Sequence, residues 1–286
     1  MKKVMFAAAV AATAALWADG LESANTVGYQ SDAMGTAGVL EMTGVMFKEI
    51  GTNVIDIQKL KLNDGTPADA TSSIMYWVPG GTAWSRAYWC ELYNDAEMED
   101  PILDENDNPV LGWGSDLWQI LPVSNERKFK LGAGFFLDTS TDAEAPALTV
   151  SGEVKSEPTA QLIGVPITAG VLEIVSNPMP GDGLEVQEIE MSEGVPADAT
   201  TSIMYWTPGG TAWSRAYWCE LYNDTEMEDP ILDENDNPVL GWGSDLWQKL
   251  QFDVNFKAGE AYFVDSSTDA IEPEVLYTNP LYRPAN

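Results

Sequence analysis

The stretch IMYWVPGGTAWSRAYWCELYND occupies residues 74–95 and returns at 203–224 with one change, Val78 to Thr207. Its first five residues are β-branched or aromatic apart from one Met, and they run into Pro79-Gly80-Gly81, a strong turn signal. The aromatic run AWSRAYWCELY follows. This order predicts a hairpin, with one strand over 74–78, a turn over 79–82 and a second strand over 84–93. Period two then sets Tyr88, Cys90 and Leu92 on one face, the expected core face, and Trp89, Glu91 and Tyr93 on the other.

Working outward, residues 67–119 align with 196–248 at a constant offset of 129, and only three of those 53 pairs differ: Ser72/Thr201, Val78/Thr207 and Ala96/Thr225. A weaker likeness continues upstream, where TAGVLE at 36–41 returns at 168–173. It also continues downstream, where KLGAGFFLDTSTDA at 130–143 answers KAGEAYFVDSSTDA at 257–270. The units so defined are 25–154 and 155–286, each the size of an ordinary domain. Two tandem copies of one domain is the simplest account, and a single pseudo-twofold domain is the alternative. ILDENDNPVL adds a second hairpin turning at 105–108, and GAGFFLDTST a further strand with a polar end. Residues 69–73 and 114–119 each read as one helical turn. The expected class is therefore all-β: two tandem homologous β-sandwich or barrel-like domains after a signal peptide.

Export is read from the start of the chain. Lys2 and Lys3, an apolar stretch from 4 to 18 and the small residue Ala18 match the regions of a secretory signal peptide, cleaved after Ala18. The apolar stretch is shorter than the roughly 20 residues that span a bilayer. No later run is long enough, so no membrane-spanning segment is expected after signal removal, and the destination is the cell surface or the medium. Cleavage leaves 12 basic residues against 45 acidic ones, a net charge of −33 (12 − 45). Such a chain is repelled by nucleic-acid phosphates and anionic lipid headgroups, which excludes nucleic acid as a partner. There is no histidine. That excludes Ser–His and Cys–His nucleophiles and any His-ligated metal.

The signal segment, SANTVGYQ at 23–30, AGVLEIVSNPM at 169–179, the Trp hairpin and KAGEAYFV at 257–264 together resemble a broad group of secreted bacterial β-repeat proteins of unknown activity. The resemblance implies an all-β fold and export. The first unit departs from the pattern at MTGVMF, where the second has Asn177-Pro178.

Three groups of residues are candidates for chemistry. The acidic insert carries Asp100, Asp104, Asn106 and Asp107, and its twin Asp229, Asp233, Asn235 and Asp236. Clustered hard oxygens suit Ca²⁺, the one cofactor the composition points to. The loop is no EF-hand, because Pro109 stands where that loop needs Gly and Ser115 where it needs Glu. The plainer reading is a solvated hairpin loop. Trp113 and Trp242, each between two glycines, are the expected exposed platforms for a glycan, against the ordinary role of Trp in a core. Asp138 and Asp265, in FFLDTST and YFVDSST, are placed like the paired acids of duplicated aspartic proteases, but Ser140 and Ser267 replace the motif's Gly. An Asp closing a strand is the ordinary reading. Arg86 and Arg215, the only arginines of the duplicated blocks, are expected to pair with a nearby acid. Together these features predict a secreted, non-catalytic surface or matrix protein with an adhesive role, whose partners are glycans or other envelope proteins. A carbohydrate-binding module is the alternative, and a carboxylate-dependent hydrolase a more distant one. Cys90 and Cys219 are expected as buried free thiols.

Overall fold

The structure is a computed structural model that describes residues 27–33, 37–77, 84–121, 127–154, 160–206, 212–224, 226–245, 247 and 254–282. Residues 1–18, expected as a signal peptide, and the turns expected at 79–82 and 208–211 lie outside the described residues. The protein is all-β, with antiparallel sheets. No helix among the described residues is long and apolar enough to cross a membrane. The chain divides into two compact units, the first built mostly from Phe47–Leu131 and Phe136–Ser156 and the second mostly from Glu157–Asn286.

The first half of the chain forms β1 (Val27–Ala33), β2 (Leu40–Gly44), β3 (Phe47–Lys48), β4 (Val54–Asp56), β5 (Lys61–Leu62), β6 (Asp69–Trp77), β7 (Trp84–Glu91), β8 (Leu111–Gly114), β9 (Lys128–Lys130), β10 (Gly134–Asp138) and β11 (Ala147–Val154). A five-stranded sheet has the order β2-β10-β6-β7-β8. A second has the order β1-β11-β3 with β5 also on β11, and β4 pairs with β9. The second half forms β12 (Leu162–Pro166), β13 (Leu172–Ser176), β14 (Leu184–Glu185), β15 (Ile189–Met191), β16 (Asp198–Trp206), β17 (Trp213–Glu220), β18 (Leu240–Gly243), β19 (Asn255–Phe256), β20 (Ala261–Asp265) and β21 (Glu274–Thr278). Its sheets run β13-β20-β16-β17-β18, β12-β21-β15 and β14-β19, which repeats the first set with one strand fewer among the described residues. The strand without a twin is β3. Where β3 pairs with Glu153 and Val154, the second half has Met179-Pro180 and Pro280-Leu281. Proline has no N–H for a ladder, so the pairing ends there.

The two strands expected as a hairpin over 74–78 and 84–93 pair antiparallel, with bounds Asp69–Trp77 and Trp84–Glu91. Trp77 faces Trp84, Met75 faces Arg86 and Ser73 faces Tyr88 across β6 and β7. The expected helical turn at 69–73 is instead strand. Asp69 Oδ1 accepts hydrogen bonds from the Thr71 amide at 3.1 Å and the Thr71 hydroxyl at 2.5 Å, Ala70 takes φ 64°, and the register shifts between Asp69 and Ser73. An Asp-x-Thr turn has made a β-bulge. At 114–119 the chain makes a non-helical turn in which Ser115 N–H donates to the Gln119 carbonyl and Trp118 sits at φ 61°.

The core face of β7 is also corrected. Ala87 and Trp89 face inward with Ile74 of β6 and Leu137 of β10, all buried, while Tyr88 is half-buried with exposed Arg86 on the outer face. Period two puts Tyr88 on the face of Arg86, whose charged end stays in water, so the inward residues of this strand are Ala87 and Trp89. Cys90 and Leu92, the other two residues of the expected core face, are buried as expected, with Gly114 close against Cys90.

Candidate functional site

Around the paired tryptophans, the outer face of each five-stranded sheet carries the same side chains in the same register on β10, β6 and β7 and on β20, β16 and β17. In the first unit Phe136, Met75 and Arg86 form one row and Asp138, Ser73 and Tyr88 the next, with the Trp77–Trp84 pair beyond. In the second unit the rows are Phe263, Met204 and Arg215, then Asp265, Ser202 and Tyr217, with Trp206–Trp213. The two tryptophans of each pair meet edge to face, with centroids 5.6 Å apart in the first unit and 5.4 Å in the second. Trp84 then leans on Phe136 at 5.9 Å, and Trp213 on Phe263 at 5.5 Å. Part of this aromatic strip faces water, because Trp84 is 38 %, Trp213 46 % and Trp206 48 % exposed.

Beside the strip lies a fixed ion pair. Arg86 Nε donates to Ser73 Oγ at 3.0 Å and its Nη2 to Asp138 Oδ2 at 3.3 Å. Arg215 does the same to Ser202 at 2.8 Å and Asp265 at 2.7 Å. Each guanidinium also stands over the ring two residues on, 5.7 Å from Tyr88 and 5.6 Å from Tyr217. Three contacts therefore hold each arginine in one pose at the surface. Asp138 and Asp265, the carboxylates considered for acid chemistry, are thus each engaged by an arginine of their own sheet.

Trp113 and Trp242 are not platforms. Both are fully buried, and this corrects the reading of their glycine neighbours as an exposed loop. Each is the inward residue of an edge strand, edge to face with Trp89 or Trp218 at 5.2 or 5.3 Å. The Trp113 indole N–H donates to the Leu60 carbonyl at 2.8 Å, and that of Trp242 to the Ile189 carbonyl at 2.7 Å. A glutamine completes the edge. Gln58 Oε1 accepts from the Trp113 amide at 3.0 Å and its Nε2 donates back to the Trp113 carbonyl. Gln187 repeats the grip on Trp242, at 3.3 and 2.7 Å. A Cβ on Gly112 would come within 2.3 Å of Gln58 Oε1, so a larger residue there would push the glutamine away from Trp113.

The acidic inserts form tight hairpin loops. Asp104 Oδ1 accepts from the amides of Asn106 at 2.8 Å and Asn108 at 2.9 Å, and Asp107 takes φ 61°. Asp233 repeats this with Asn235 and Asn237, with Asp236 at φ 62°. These amides hold both carboxyls below the ordinary carboxylate range. Asp100 accepts from Asn94 Nδ2 at 2.9 Å and Asp229 from Asn223 Nδ2 at 3.1 Å. Among the described residues no three acidic or cysteine side chains stand close enough together to hold an ion. Cys90 and Cys219 are free and buried, and burial pushes both thiols up to about 11.

No family model, no curated protein and no solved structure matches the chain. The outer sheet faces are the candidate site on their geometry alone. Sequence reasoning missed them because it looked for a tryptophan in a loop. The available signal was the spacing of Trp84, Arg86 and Tyr88, which period two puts on one face.

Proposed function

We propose that this chain is an exported, non-catalytic adhesive protein of a bacterial surface or extracellular matrix, built from two tandem copies of one β domain. One observation carries the reading: the same exposed strip of aromatics beside the same ion pair is displayed on both units. An isolated domain has no folding need for that many half-exposed indoles, and exposed aromatic patches mark contact surfaces. The signal-like start, the resemblance to secreted β-repeat proteins and the acidic charge support a place outside the cytoplasm. Two copies of a weak site on one chain raise retention through effective concentration.

The test is sedimentation of the labelled full-length mature chain with intact bacterial cells. Saturable retention, reduced in a Trp84→Ala/Trp213→Ala double variant, is the expected result. Retention that never saturates, or that the double variant leaves unchanged, would count against the reading.

A further inference from the structure

We infer that each outer sheet face, Trp77–Trp84 with Arg86–Asp138 and Trp206–Trp213 with Arg215–Asp265, binds a neutral, hydroxyl-rich polysaccharide. This rests on the proposed adhesive role and names the chemistry of its partner. Four surface chemistries are open to such a face, and the charges on it decide among them.

A polyanion is repelled by a mature chain of formal charge −33 (12 − 45). The same overall charge attracts a polycation, but on this face Asp138 and Asp265 are each already paired with an arginine at 3.3 and 2.7 Å, so the face itself offers a cation no unpaired carboxylate. A flat apolar protein surface covers the indoles well but strips water from the ion pair without replacing it, and an ion pair desolvated in that way loses more than it gains. A sugar satisfies both halves of the face. Its C–H faces lie against the exposed indole rings, which present negative π density to those weakly positive hydrogens. Its hydroxyls donate to the Asp carboxylate and accept from the Arg N–H groups, so neither charge is left without a polar partner. Vicinal hydroxyls present a donor and an acceptor side by side, as the ion pair does in reverse.

The face is also prepared before any ligand arrives. Ser73 and Tyr88 hold Arg86, and Ser202 and Tyr217 hold Arg215, so little side-chain freedom remains to be lost on binding. The exposed indoles are fixed in the same way by edge-to-face partners and by Phe136 or Phe263.

The experiment is affinity electrophoresis of the full-length mature chain through gels containing cellulose derivatives, xylan, mannan, soluble chitin or mixed-linkage glucan, with alginate and heparin as polyanions. Tryptophan fluorescence titration with the matching soluble oligosaccharides runs in parallel. At least one neutral polysaccharide retards the chain, and added salt leaves the retardation in place. Trp84→Ala with Trp213→Ala weakens binding about tenfold or more. Arg86→Gln with Arg215→Gln, a change at exposed groups that leaves the sheet intact by circular dichroism, weakens it as well. The inference is overturned if no neutral polysaccharide retards the chain, if only the polyanions do, or if both double variants bind like the parent. Loss of polysaccharide binding with cell retention intact removes the glycan and leaves the adhesive role. Polysaccharide binding without cell retention does the reverse.

Discussion

Gln58 holds Trp113 by both main-chain groups, its amide oxygen taking the Trp113 N–H at 3.0 Å and its amide nitrogen donating to the Trp113 carbonyl. A side chain here supplies the pairing that a further strand would give to the edge strand β8. Replacing it with alanine leaves a buried amide and carbonyl unpaired. Gln58→Ala is expected to lower stability by about 2 kcal/mol, from two hydrogen bonds at roughly 1 kcal/mol each. Gln187→Ala should match it, since Trp242 is held in the same way. Urea unfolding of each variant measures the loss, and an effect below about 0.5 kcal/mol would mean that water replaces the glutamine.

Gly112 depends on the same contact. A Cβ there meets Gln58 Oε1 at 2.3 Å and Leu92 Cδ1 at 2.8 Å. Gly112→Ala should therefore destabilise by about 1–3 kcal/mol, as overpacking does. Part of that clash disappears when the glutamine is shortened. The Gly112→Ala/Gln58→Ala double variant is expected to be more stable than additivity allows by roughly 0.5 kcal/mol or more. Strict additivity in a double-mutant cycle would show that the two positions do not share the contact.

The duplication and the hairpins are legible in the sequence because they depend on local signals. Aromatic and β-branched runs end at Pro-Gly, and Asp-Glu-Asn-Asp closes a tight turn. What could not be read locally concerns partners distant in the chain. The flanking glycines of Trp113 look like loop residues until Gln58, 55 positions upstream, is placed beside Gly112. The helical reading of 69–73 failed for another reason. Thr71 binds Asp69 rather than letting a helix form, and Ala70 takes a left-handed conformation that composition does not announce. The outer face was half legible: alternation grouped Arg86 with Tyr88, but the acid that meets Arg86 comes from β10.

Two arginines of the first unit are expected to differ sharply in energetic role. Arg86 and Asp138 have side chains 45 % and 38 % exposed, so Arg86→Met should cost less than about 1 kcal/mol, with little left at high salt. Arg127 is largely buried, with Nε 2.8 and 2.7 Å from the two oxygens of Asp56 and Nη1 3.0 Å from the Leu121 carbonyl. Asp56 also caps the 3-10 turn Ile57–Lys59 that carries Gln58, accepting from the Gln58 amide at 2.9 Å. Arg127→Met leaves that carboxylate short of a partner, and a loss of about 3 kcal/mol is expected. Equal losses for Arg86→Met and Arg127→Met in denaturant unfolding would contradict the assignment of Arg86 to binding rather than folding.

The acidic loops should not respond specifically to calcium. Backbone N–H groups of Asn106 and Asn108 converge on Asp104, and those of Asn235 and Asn237 on Asp233. The centre of each loop thus holds donors around a carboxylate, whereas a Ca²⁺ site needs six to eight oxygens around a cation. Calcium and magnesium at equal concentration are expected to raise the thermal midpoint equally, by screening alone. A further rise with calcium, reversed by chelator, would require ligands that the described geometry does not assemble.

The buried thiols give the stability a defined alkaline limit. Burial raises Cys90 and Cys219 to about 11, above the ordinary thiol value near 9. A raised folded-state value means that the folded chain keeps a proton the unfolded chain has released. The stabilisation is complete below the ordinary thiol value and is lost as pH climbs from about 9 toward 11. The loss is on the order of 2 kcal/mol per thiol. Tyr262 and Tyr277, buried against each other at 2.7 Å, are also raised by burial and add to the fall above the ordinary tyrosine value near 10. With no histidine in the chain, no side chain with an ordinary value titrates between about pH 6 and 8. Unfolding free energy should therefore be flat over that interval and fall first near pH 9. Cys90→Ala/Cys219→Ala should delay the fall by about one pH unit, to the range where the tyrosines act. The same thiols should resist a chromogenic disulfide reagent in the folded chain and give two equivalents once it is denatured without reductant. Fewer than two would mean that the cysteines are bonded, and an unchanged alkaline profile in the double variant would mean that the tyrosines alone set the limit.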